Sequence, residues 1–322
     1  MAVPRKNTLS KKSSGSRIAA LMILVVIISI IAGYFLFRGT AVTPQKTETA
    51  LDRPEAPRPV VPQKVAPLPP EVLPQSYQKQ NEYPPSTQLP DDDKPGGTGS
   101  GPPARLAIII DDMGSSMSEA RALAAIKVPL TFSIIPGLRV DSEVAAFAAA
   151  HAIETMIHVP MQSKGWPAQR LEENGLLVTM DEGEVQERMS GFVQQFPGAV
   201  GVNNHMGSAF TEHEEKMTAV MQVLKQHNLF FIDSVTSAGS VGGKAAQRSG
   251  VRSARRNVFL DNEQNRSYIV GQLHQAVRVA KKNGSAIAIC HPHPATIAAL
   301  AAALPELAGQ GVSLVPASQL VK

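Results

Sequence analysis

From residue 105 onward, short apolar runs alternate with longer stretches whose apolar residues recur every three or four positions. The short runs are Leu106–Ile110, Leu130–Ile135, Glu154–His158, Ala199–Asn203, Leu229–Ile232, Val258–Leu260, Ala286–Cys290 and Val312–Val315. Their near-continuous apolar character predicts strands buried on both faces. Helical patterns lie between them. One covers about Ser115–Ile126. Two open with capping-box spacing, at Thr179-Met180-Asp181-Glu182 and at Thr211-Glu212-His213-Glu214. Another runs from Asn265 to Lys282 and stops at Asn283-Gly284. Strands alternating with helices imply a parallel sheet with right-handed crossovers. The expected fold is α/β, an irregular (β/α) barrel of seven or eight parallel strands over residues 105–322. A doubly wound open sheet is the alternative.

The first third of the chain has a different pattern. Residues 18–37 hold no charge and are nearly all apolar, and twenty residues at helical rise match the hydrocarbon thickness of a bilayer. Residues 1–17 are basic, so the positive-inside rule puts this tail in the cytoplasm and the C-terminal domain outside. A cleaved signal peptide is the competitor. Its apolar region is usually shorter, and no clear small-x-small cleavage site stands directly after Phe37. We therefore expect a single-pass anchor in the inner membrane, with the lipid bilayer as partner. Fifteen of the 25 prolines fall in residues 38–104. Proline removes a backbone donor and fixes φ, so this stretch reads as a disordered, partly polyproline II linker.

Charge and cysteine content narrow the classes further. The formal net charge is +4, but residues 1–38 carry six basic residues and no acid, leaving −2 for the rest. The basic balance belongs to the membrane flank, and a nucleic-acid partner is not expected. With a single cysteine, Cys290, no intrachain disulfide can form.

The candidate chemistry sits at the strand ends. Asp111-Asp112 follows the first strand and His158 ends the third. Asn203-Asn204-His205 follows the fourth, Asp233 the fifth, Asp261 the sixth, and His291-Pro292-His293-Pro294 the seventh. In a parallel barrel these groups converge on one mouth. Adjacent carboxylates repel unless a cation or shared proton separates their roles, which favours one metal ligand and one base. Two histidines with one carboxylate make an open catalytic site. Plainer readings exist: Asp112 as a helix N-cap, and Asp233 and Asp261 as turn formers rather than partners that orient histidines. His151, His213, His227 and His274 fall in helical stretches and are read as solvated.

The motifs Leu106–Gly114, Asn204-His205-Met206-Gly207-Ser208, Phe231-Ile232-Asp233-Ser234 and Ile289-Cys290-His291-Pro292-His293-Pro294 together resemble the divergent polysaccharide deacetylases. The resemblance covers residues 105–322. It implies an irregular (β/α) barrel, a divalent metal that is usually zinc, and hydrolysis of an acetamide or ester on a carbohydrate or cell-wall glycan. Matched by position, Asp111 is the general base, Asp112 and His158 are metal ligands, and His291 is the general acid. The sequence departs from the pattern twice. Gln162 replaces the second histidine of His-x-x-x-His, and the Arg-x-Pro that supports the base is replaced around Asn204-His205. His205 is therefore expected as third ligand, with Asn204, Asp233, Asp261 and His293 around the site or on substrate. Trp166, in Ser163–Glu173, is read as a sugar-stacking lid or a hydrophobic plug.

Two rivals follow from the same residues. One is a catalytically impaired, glycan-binding or scaffolding barrel on a tether, favoured by the missing histidine. The other is a phosphoesterase, disfavoured because Arg255-Arg256 is the only basic pair expected near the mouth. No Gly-x-Gly-x-x-Gly follows the first strand, which argues against a nucleotide role.

Overall fold

The computed structural model describes residues 103–322. The expected tail, membrane span and nearly all of the linker lie outside the described residues. Among the described residues, no helix is long and apolar enough to cross a membrane.

Nine strands form one sheet: β1 Ala104–Met113, β2 Thr131–Ile134, β3 Glu154–Met161, β4 Gly201–Met206, β5 Phe230–Asp233, β6 Ser253–Arg255, β7 Val258–Phe259, β8 Ser285–Cys290 and β9 Val312–Leu314. The spatial order is β6-β5-β4-β3-β2-β1-β8-β7, and each of these neighbours pairs in parallel. The order follows the chain from β1 to β6 and returns through β8 to β1. That is a barrel's order; a doubly wound sheet reverses direction about its first strand.

The barrel is not closed, because β6 and β7 do not pair. Only Arg256 and Asn257 separate them, and parallel neighbours need a crossover of about a dozen residues. Ser253–Arg255 is also the one strand that the apolar pattern misses: it is short, polar and half exposed. Arg256 fastens the seam. Its Nε donates to Ser234 O at 2.7 Å, its Nη2 donates to Val235 O at 3.0 Å, and its guanidinium lies 5.1 Å from the Phe259 ring centre.

Side-chain alternation divides the core in two. Leu106, Ile108 and Ile110 of β1 face the helices. Ala107 and Ile109 face the barrel interior with Met156, Phe230, Ile232, Phe259, Ile287 and Ile289. Ala317 and Leu320 join this inner cluster from below. Ala317 N donates to Thr131 Oγ1 at 3.0 Å, which ties the chain's end to the start of β2. β9 pairs only with the opening of β1, at Ala104–Leu106, and stands outside the main strand order.

The helices are α1 Met117–Ala124, α2 Asp141–Ala150, α3 Glu182–Gln195, α4 Glu214–Gln226, α5 Gly242–Ser249, α6 Arg266–Asn283 and α7 Pro294–Ala303. The α6 signals hold: Asn265 caps the start, accepting from Tyr268 N, and Gly284 ends it in the left-handed region at φ 80°. The α3 capping box is Asp181 with Glu184, two residues later than Thr179 predicts. Thr211 caps nothing; its hydroxyl donates to Gly207 O, and α4 starts after His213 without a side-chain cap. Ser116, not Asp112, caps α1.

Candidate functional site

The strand period places the site. On the interior face of β1, the alternation Ala107, Ile109 leads next to Asp111, and on β3 Met156 leads to His158. The same step of two leads from Phe259 to Asp261, and from Ile287 and Ile289 to His291. These side chains meet where the apolar interior ends.

Asp112 breaks the alternation. Its φ is +56°, in the left-handed region, and the β1–β2 register shifts between Ile110 and Met113. Such a conformation costs a non-glycine residue on the order of 1–3 kcal/mol. It returns the Asp112 carboxylate to the same mouth as Asp111. Gly114 follows at φ +120°, and a Cβ there would lie 3.2 Å from Asp141 Cβ, so the turn also requires glycine.

Around Asp112 Oδ1 two imidazoles converge. His205 Nδ1 lies at 2.8 Å and His158 Nε2 at 3.3 Å. Yet Asp112 Oδ1 is buried without a hydrogen-bond partner. The distances suit hydrogen bonds and the directions do not, as expected of donor atoms aimed at a shared point. The three ligand atoms, one from each of Asp112, His158 and His205, lie within 4.8 Å of one another. One carboxylate oxygen and two imidazole nitrogens suit zinc or a similar divalent ion. The residues present therefore fit a metal.

Asn203 organises the other side. Its Nδ2 donates to Asp111 Oδ1 at 2.8 Å, and its Oδ1 accepts from His158 Nδ1 at 2.7 Å and from Ser133 Oγ at 2.5 Å. Because the Asp111 carboxylate takes only donors, the amide has one orientation and His158 carries its proton on Nδ1. Burial pushes the Asp111 carboxyl above the usual range, against the pull of His158, His291 and Asn203. Burial acts likewise on Asp112, but the neighbouring His205, His291 and His158 rings outweigh it and hold it well below that range.

The far wall holds His291. Its Nε2 is 3.8 Å from Asp112 Oδ2, and its Nδ1 is 3.2 Å from Asp261 Oδ1. Asp261 Oδ2 accepts from His291 N at 2.7 Å and from Thr296 Oγ1 at 2.9 Å. Burial disfavours the charged ring, but Asp261 and then Asp112 outweigh it and push His291 up to about 10. His293 stacks 5.6 Å from His291 and is driven down by its own burial and by that ring. Cys290 is buried, and its thiol is pushed well up by burial and the nearby Asp261 and Asp111.

The structure thus brings Asp111, Asp112, His158, His205, Asp261, His291 and His293 together. Two expected members fall elsewhere. Asn204 points out of the mouth: its Oδ1 accepts from Ser234 N, and its Nδ2 donates to Met206 O and Thr236 Oγ1. It lies between Asn203 and His205, so the period of two turns it away. Asp233 is a turn former, accepting from Val235 N and Ser240 Oγ, beside a cavity of about 610 Å³ that Lys244 and Arg255 also line. Gln162 Oε1 accepts from Val178 N, which anchors the segment after β3. Trp166 is 41 % exposed and does not act as a plug.

Two contributing residues are given no role of their own by the sequence reading. Asn203 was legible in principle, because it shares the parity of His205. Glu172 was not: it sits in the irregular segment between β3 and α3, where no period applies. Its Oε2 is buried, lacks a hydrogen-bond partner and lies 3.9 Å from His205 Nε2.

Known proteins resemble this chain in sequence, and one solved structure resembles it in fold. The chain is 38% identical over 217 residues to the uncharacterized protein YibQ of Escherichia coli, which spans 67% of each chain. It is 39% identical over 204 residues to an uncharacterized protein of Haemophilus influenzae, covering 63% of this chain and 72% of that one. The crystal structure of the uncharacterized protein ATU2773 from Agrobacterium tumefaciens shares the fold, with a TM-score of 0.66 at 23% identity over 69% of this chain and 91% of that one. The family profile for divergent polysaccharide deacetylases matches residues 108–321, and the chain belongs to that family.

Proposed function

We propose that the protein is a metal-dependent hydrolase that removes acetyl groups from a cell-envelope carbohydrate. The observation that carries this reading is the convergence of His158 Nε2 and His205 Nδ1 on Asp112 Oδ1, an oxygen with no well-aligned hydrogen bond. Asp112, His158 and His205 would hold the ion, zinc first among candidates. When bound, a divalent ion supplies Lewis-acid polarisation of the acetyl carbonyl and lowers the pKa of water.

The chain's own groups do the rest. Asp111, oriented by Asn203 and raised by burial, takes a proton from water; a carboxylate nearer neutrality is the better base. His291, held by Asp261 and kept protonated, gives a proton to the leaving amine or hydroxyl. Asn203 and Asp261 keep base and acid on opposite sides of Asp112. Exposed Trp166 offers a sugar-stacking surface. The apolar segment 18–37 and its basic flank support an extracytoplasmic domain on an inner-membrane anchor.

Gln162, committed to Val178 N, favours a second reading: a barrel that binds glycan without turnover. One experiment separates the two. Acetate release from N- and O-acetylated envelope glycans is measured with the parent protein, with chelator, and with Asp112→Ala. Release that chelator and Asp112→Ala both abolish supports hydrolysis. Glycan binding without release in the metal-loaded protein overturns it.

A further inference from the structure

The two candidate histidine ligands are presented by opposite ring nitrogens. His158 turns Nε2 toward Asp112, and its Nδ1 is held by Asn203 Oδ1. His205 turns Nδ1 toward Asp112, and its Nε2 faces Glu172 Oε2. Each ring therefore has a polar group behind it. Behind His158 that group is an amide; behind His205 it is a carboxylate whose oxygen is buried and otherwise without a hydrogen bond.

Glu172 is held where it is. Its backbone carbonyl accepts from Gly175 N at 2.8 Å, closing a tight turn. The turn is joined to the end of β3, because Leu176 N donates to Pro160 O at 2.8 Å and Gln162 N to Leu176 O at 2.9 Å. Arg188 of α3 donates to Glu173 O and Gly175 O. A buried carboxylate oxygen costs free energy unless it is satisfied. A small turn of the glutamate side chain closes the 3.9 Å gap to His205 Nε2.

We propose that Glu172 is a positioning residue for His205: it accepts Nε2–H, so that the Nδ1 lone pair is presented to a divalent ion on Asp112. This rests on the metal reading above. It makes the segment after β3 part of the site, and it gives the replacement ligand the orienting partner that Asn203 gives His158. Partners of this kind fix the ring's tautomer and orientation, and losing one costs about 10–100-fold in metal affinity.

The test uses the full-length protein and Zn²⁺ alone. Long-range ¹H–¹⁵N spectra of the Zn²⁺-loaded protein should show N–H at Nδ1 of His158 and at Nε2 of His205. Glu172→Ala should weaken Zn²⁺ binding about 10–100-fold by calorimetry, with an unchanged melting temperature of the metal-free protein. Glu172→Gln, which keeps an acceptor, should recover most of that loss. Equal Zn²⁺ affinity in parent and Glu172→Ala, or a loaded His205 carrying N–H at Nδ1, overturns the proposal while leaving the metal reading standing. A parent protein that takes up neither Zn²⁺ nor Co²⁺ nor Mn²⁺ overturns the metal reading, and this proposal with it. If Glu172→Ala does not fold, the spectra of the parent and the affinity of Glu172→Gln still decide.

Discussion

Two aspartate–histidine groups face each other across the barrel mouth, and they differ in how their oxygens are used. Asp112, His158 and His205 form one; Asp261, His291 and His293 form the other, and in each the candidate ligand atoms lie within 4.8 Å of one another. By composition either could hold a metal. In the first, Asp112 sits on left-handed backbone and keeps a buried oxygen without a hydrogen bond. In the second, Asp261 accepts from a backbone N–H, a hydroxyl and a ring nitrogen. Three of the roughly four acceptor sites of the Asp261 carboxylate are taken, two of them by His291 itself, so Asp261 orients His291. An unsatisfied carboxylate on strained backbone is the signature of a site that expects something. Proximity of residue types alone would have scored the two groups the same.

The sharpest way to break this contrast is to remove each aspartate. Asp112→Ala should leave no measurable Zn²⁺ binding while the protein stays folded, as read by calorimetry and circular dichroism. Asp261→Ala should keep Zn²⁺ affinity within a few-fold of the parent. It should instead lose about 1–3 kcal/mol of stability in urea unfolding, because three buried donors lose their acceptor. Comparable loss of Zn²⁺ binding in both variants would dissolve the distinction.

The pH dependence reads both groups, because against the pull of burial Asp112 and Glu172 raise His205, as Asp261 and Asp112 raise His291; Asp261→Ala isolates the His291 part. His291 is raised from 6.5 to about 10 in the folded metal-free protein. A raised folded pKa favours the folded state in full below the unfolded value and loses that contribution as pH rises. The His291 contribution should therefore be complete below about pH 6.5 and fade through about pH 10. Unfolding of the metal-free protein across this range reads it, and Asp261→Ala should shift the fading to lower pH. The smallest expected effect is Ser133→Ala, which removes one of the bonds to Asn203 Oδ1. It should cost about 0.5–1.5 kcal/mol in the same assay and leave Zn²⁺ affinity nearly unchanged.

Much of the site was legible because strand patterns are local. A period of two marks Asp111, His158 and His291 as continuations of the interior face of their strands. The same rule, pressed harder, would have chosen Asn203 over Asn204. It fails at Asp112, where the φ of +56° reverses the expected side; only the adjacent glycine and the paired acids hinted at a turn. It also fails at β6, whose Ser-Ala-Arg composition carries no apolar signal.

The chain's order of apolar runs and helical stretches was enough to determine a parallel α/β sheet and the end at which its polar residues collect. Those features depend on contacts within a few residues and on the preferred hand of the crossovers. The strand order that separates a barrel from a doubly wound sheet came from the tertiary structure. Which oxygens accept hydrogen bonds, which ring nitrogen faces Asp112, and that Glu172 lies behind His205 depend on groups far apart in the chain, such as Asp112 and His291. Those facts exist only once the strands have gathered around the mouth, whereas the unsealed β6–β7 edge follows from the two-residue link between those strands.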